Sequence, residues 1–132
     1  MTQRNIDVMD IIVSKMAEGA KFSKALKLVY TKRKVCIPYN AKYRDVSLMD
    51  LGMGGRTTNS LFRGNLKTIG DVVSFCGDKK ITDIVNLGKS SGVELFEAIL
   101  DYCWAHMSKD ERTEFLIDTV ERNSEYIKAD IV

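Results

Sequence analysis

The sequence predicts an all-α protein, a compact bundle of short helices, on three observations. Proline occurs once, at Pro38. Strand-like alternation of apolar and polar residues is nearly absent. Apolar residues instead recur at helical spacing, in segments bounded by glycines and by Ser/Thr start signals.

The elements follow in order. A first helix is expected from about Asn5 to Ala17, with Val8, Met9, Ile12, Val13 and Met16 at helical spacing, and Gly19 interrupts it. A second, from Phe22 to Lys32, puts Phe22, Ala25, Leu26 and Val29 on one side, with Lys21, Lys24 and Lys27 largely off that stripe. Lys34 to Asn40 reads as an extended connector, because Pro38 disfavours helix at and before itself. From Val46 onward the helices shorten. Ser47-Leu48-Met49-Asp50 starts a helical turn, and Arg56 to Phe62 forms a helix for which Gly64 is the expected left-handed terminator. Thr68-Ile69-Gly70-Asp71 is a capping-box sequence opening the next helix, which Gly77 ends. Another short helix is expected over Lys79 to Val85. Ser91-Gly92-Val93-Glu94 is a second capping-box sequence, opening a helix to about Trp104, and Ser108-Lys109-Asp110-Glu111 opens the last, through Asn123. Its apolar face is Phe115, Leu116 and Val120.

Composition narrows the function classes. Hydrophobic residues make up 45% and charged residues 29% of the 132 residues, as in ordinary folded domains. No apolar run approaches the roughly 20 residues that span a bilayer, so no membrane partner is expected. The first residues lack the apolar core of a signal peptide, and three scattered cysteines (Cys36, Cys76, Cys103) suit a reducing, cytoplasmic setting better than a disulfide frame or zinc site. Nothing calls for a metal or cofactor. The charge is uneven: residues 1–45 carry ten Lys/Arg against four Asp/Glu (+6), residues 46–92 six against four (+2), and residues 93–132 four against ten (−6). This is either a set of solvated helix faces or a basic front end facing a polyanion, with the acidic tail facing a basic partner or folding back on the front end.

Enzymatic readings find little support. Gly52-Met53-Gly54-Gly55-Arg56 lacks both the preceding strand and the Gly-Lys-Ser/Thr ending of a phosphate-binding loop. Cys103 and His106 read as a buried helix-end thiol and a surface histidine. Glu94, Glu97 and Asp101 read as a solvated helix face rather than an acid–base pair. The chain is expected to be non-enzymatic.

The most informative stretch is Asn86-Leu87-Gly88-Lys89-Ser90-Ser91, where two apolar helical patterns meet at a glycine-containing turn. Such a turn leaves first-turn N–H groups unpaired, with the positive helix end behind them, and a phosphate fits there. This is the logic of a helix-hairpin-helix, and a second hairpin of similar shape precedes it.

Residues 45–103 resemble the C-terminal domain of the bacterial RNA polymerase α subunit. The resemblance is carried by four ordered blocks: Val46 to Met53, Arg56-Thr57-Thr58-Asn59-Ser60-Leu61, Leu66 to Val73, and Asn86 to Ser91. It implies a five-helix fold with two helix-hairpin-helix units, minor-groove binding of A·T-rich DNA, and contacts with RNA polymerase or a transcription regulator. Arg56 matches the family's groove-inserting arginine. A narrow A·T minor groove concentrates negative potential, so one arginine is favoured there without reading base identity. Asn59 lies one turn on, and the Gly88, Ser90 and Ser91 amides with Lys89 would hold a phosphate. Arg63 and Lys67 extend the patch.

Two departures weaken the DNA reading: Ser90 stands where the family has a second lysine, and Phe62 where it has a basic residue. Fewer phosphate contacts mean weaker binding. The large assembly domain of an α subunit is also missing, so the expectation is a stand-alone accessory protein of a bacterium, phage or mobile element. The expected parts are a basic helical extension (1–40), the α-C-terminal-like domain (41–105) and an acidic helix and tail (106–132). The alternative is a protein–protein adaptor that has lost most DNA affinity and binds polymerase, a regulator or itself. Within the extension, Ile12 to Lys34 has the outline of a helix-turn-helix.

Overall fold

A computed structural model describes residues 1–31, 40–76 and 89–131, and for Lys89 the backbone alone. The fold is all-α. The described helices are α1 (Gln3–Ala17), α2 (Phe22–Val29), α3 (Gly55–Arg63), α4 (Ile69–Phe75), α5 (Lys89–His106) and α6 (Lys109–Arg122), with short 3-10 turns between them. None is long and apolar enough to cross a membrane. The chain divides into two compact units, one of residues 1–38 with 104–132 and one of residues 39–103.

In the first unit, Thr2 caps α1 by accepting from the Asn5 amide at 3.2 Å. Gly19, at φ +108°, ends it, with Gly19 N donating to Met16 O and Ala20 N to Lys15 O. That pairing is a Schellman motif, and it needs a residue that tolerates positive φ. The buried stripe Asn5, Val8 and Ile12 packs α1 against both α2 and α6. Phe22 lies at the centre, stacked on Trp104 at 4.3 Å and edge-on to Phe115 at 5.9 Å. Ser108 and Glu111 form the capping box expected for α6.

α2 is three residues shorter than its sequence pattern suggests. Tyr30 is extended and pairs with Ile127. Thr31 N donates to Tyr126 O at 2.7 Å and Lys128 N to Val29 O at 2.9 Å. These bonds come from the far end of the chain and outcompete the next helical turn. The expected connector lies, up to Tyr39, outside the described residues.

In the second unit, residues 44–48 run antiparallel to residues 67–70. Leu48 N donates to Lys67 O, Ile69 N to Val46 O and Gly70 N to Arg44 O, all within 3.0 Å. A Cβ at Gly70 would stand 2.9 Å from Arg44 O, so glycine is required by this approach. Thr68 and Asp71 form the expected capping box. Amide donors from Lys67 and Thr68 hold the Asp71 carboxyl below its ordinary pKa. The core here includes Leu48, Leu61, Ile69, Val72, Leu95 and Ile99.

Two expected details are corrected. The left-handed terminator of α3 is Asn65, at φ 63°, while Gly64 sits at φ −80°. α5 starts at Lys89, two residues before Ser91, so Ser91 lies inside its first turn. The helix expected over Lys79 to Val85, and Gly77, fall outside the described residues.

Candidate nucleic-acid interface

α3 buries Thr57, Ser60 and Leu61. Helical geometry then turns Arg56, Asn59 and Arg63, spaced i, i+3 and i+7, to the opposite side. All three are exposed. Among the described residues none of their side chains has a hydrogen-bond or ion-pair partner. Among the described residues, no carboxylate pairs with the Arg56 guanidinium.

The start of α3 is held from another helix. Its N-cap is Gly54, which has no side chain to cap with. Glu94 of α5 holds this end instead through the cap residue itself: its Oε1 accepts the Gly54 N–H at 2.8 Å. In a local capping box a glutamate three residues past the cap does this. Here Thr57 stands at that position. Its hydroxyl donates to Ser91 Oγ at 3.1 Å and lies 3.5 Å from Glu94 Oε2. The carboxylate sits at the N-terminal end of α3, where the helix dipole attracts a negative group.

This corrects two sequence expectations. Ser91 and Glu94 do not cap α5 together, because both are engaged with α3. Glu94 is also no solvated side chain but an anchor, and Glu97 and Asp101 are half-buried beside it on α5. The pairing of Gly54 with Glu94, forty residues apart, left no local signal beyond an uncapped glycine helix start.

The Thr57 bond brings Ser91 against the first turn of α3, at the residue that follows Arg56. Ser90 is exposed at the start of α5. The first-turn amides of α5, those of Lys89, Ser90 and Ser91, have no acceptor within the helix by its geometry. Gly88 and the rest of its turn lie outside the described residues, as does the Lys89 side chain. Lys67 is exposed after Asn65 and Leu66, on the turn that leads into α4.

Among the described residues, no group of three His, Cys, Asp or Glu residues could hold a metal ion. Burial pushes the Cys103 thiol up to about 11, so it is protonated at neutral pH. His106, three residues on, is exposed.

Comparison of the chain with protein-family models, curated proteins and solved structures gives no match.

Proposed function

We propose that this chain is a non-enzymatic, transcription-associated DNA-binding protein that contacts the minor groove of A·T-rich duplex through α3. The observation that carries this is the exposed Arg56–Asn59–Arg63 stripe, without a side-chain partner among the described residues, on a helix whose first turn is tied to the start of α5. Arg56 enters the groove, where its charge meets the focused negative potential of an A·T tract. Asn59 and Arg63 bond phosphate or base edges from the same face. The amides at Ser90 and Ser91, with Gly88 and Lys89, hold a neighbouring phosphate.

The test is fluorescence anisotropy with A·T-rich and G·C-rich duplexes over a range of salt, for wild type and Arg56→Ala. Wild type is expected to prefer the A·T-rich duplex, and the variant to lose most of that preference. Equal, weak binding by both proteins to both duplexes overturns the proposal.

That outcome would favour an adaptor bound to RNA polymerase, a regulator or itself, a reading with its own supporting observation. Met49, 67% exposed, projects from the 3-10 turn Leu48–Leu51, whose neighbour Leu48 is fully buried. An exposed methionine at such a turn suits a protein partner, because its unbranched thioether adapts to irregular surfaces.

A further inference from the structure

We propose that the exposed face of α2 is a second, sequence-independent contact to the phosphate backbone of duplex DNA. This rests on the DNA-binding reading above and adds a surface that lies outside the α3 site.

The helix segment Phe22–Val29 contains two lysines and no acidic residue, and Lys21 stands at its N-cap. Phe22, Ser23, Ala25, Leu26 and Val29 are buried, so that side is committed to the core of its unit. Lys21, Lys24 and Lys27 are left exposed, and Leu28 beside them is 47% exposed. Lys24 and Lys27 also make contacts within the protein, which a phosphate would join or displace.

Duplex DNA fits this face better than a defined small ligand. Lysine ammonium groups are mobile point charges, suited to a repeating line of phosphates rather than to one rigid geometry. Contacts of this kind add affinity and salt dependence but carry no base identity.

The experiment uses the full chain and a G·C-rich duplex several turns long, and measures the slope of log affinity against log salt. The variants are the glutamine triple (Lys21→Gln, Lys24→Gln, Lys27→Gln), the matching arginine triple, the single Lys21→Gln, and Arg56→Ala. The glutamine triple is expected to lower the slope by about 2 to 3, at about 0.9 per lost phosphate contact. It should keep the preference for A·T-rich duplex, while the arginine triple keeps the wild-type slope. Fluorescence of Trp104 checks that the unit is folded, and if the triple unfolds, Lys21→Gln is expected to lower the slope by about 0.9. A wild-type slope in the glutamine variants overturns the proposal, and so does an equal fall in the arginine triple. If Arg56→Ala leaves the A·T preference intact while the glutamine triple lowers the slope, the α3 reading fails and this one stands. Wild type without salt-dependent binding overturns both.

Discussion

Asn65 follows the last turn of α3 at φ 63°, and its amide donates to Phe62 O while that of Leu66 donates to Leu61 O. Leu61 and Leu66 are both buried, which supplies the apolar contact that accompanies this motif. Gly64, at φ −80° and exposed, spends chain entropy without needing its freedom. Gly64→Ala is therefore expected to stabilise the protein by about 0.4 to 1 kcal/mol, measured by urea unfolding. Asn65→Ala is expected to destabilise it by about 1 kcal/mol, because alanine tolerates the left-handed region less well. The reverse pair of signs would return the terminator role to Gly64. Tyr30 offers a second single-residue test. It is 2% exposed, its hydroxyl has no hydrogen-bond partner among the described residues, and burial raises its pKa to about 12. The raised value means the fold favours the neutral phenol. Its contribution is fully present below pH 10, the ordinary value, and is lost as pH rises toward about 12. Tyr30→Phe removes an unsatisfied polar atom at nearly constant shape. The variant is expected to be at least as stable as wild type at pH 7, and to lose less stability than wild type between pH 10 and 12 in denaturant titrations.

At the scale of elements, the start of α3 and the end of α5 are completed by side chains from other helices. Arg112 of α6 donates from Nε to Trp104 O at 2.8 Å and from a terminal nitrogen to Ala105 O at 3.4 Å. Its guanidinium lies 5.2 Å from the centre of the Trp104 ring. One side chain thus satisfies carbonyls at the end of α5 and stacks on the indole, as a planar charged fork allows. Arg112→Ala is expected to cost about 1.5 to 3 kcal/mol, the usual range for a hydrogen bond to a charged group. Arg112→Lys should recover little, because an ammonium can reproduce neither the fork nor the stack. Trp104 is the chain's single tryptophan, so its fluorescence follows both unfolding curves directly. Full recovery by lysine would reduce the contact to charge alone. Glu94 does the equivalent task for the start of α3, and there the element so fixed is the one that bears Arg56.

At the scale of the whole molecule, the proposed DNA-contacting residues are separable from those that hold the fold. Arg56 is exposed and without a described partner, whereas Thr57, the next residue, is buried and bonded to α5. Arg56→Ala is accordingly expected to change unfolding free energy by less than about 0.5 kcal/mol while removing the A·T preference. A large loss of stability in that variant would mean that its DNA phenotype reports folding instead. The fold also joins segments that linear order separates: α1, α2 and the acidic α6, from opposite ends of the chain, belong to one unit.

By itself, the sequence determined the all-α class, the buried stripes of α2 and α6, Val8 and Ile12 of α1 (though not its exposed Val13 or buried Asn5), the capping boxes at Thr68 and Ser108, and the spacing of Arg56 and Asn59. These are local properties: apolar period, cap chemistry and turn residues lie within a few positions of one another and act without distant partners. Tertiary structure alone decided where α2 stops, why Gly70 is glycine, and how α3 begins. Each of those turns on a hydrogen bond or close approach from residues far along the chain: Tyr126 and Lys128 for α2, Arg44 for Gly70, Glu94 for Gly54. A backbone group takes the best acceptor or donor within reach in space, and which one that is becomes settled only when the helices pack.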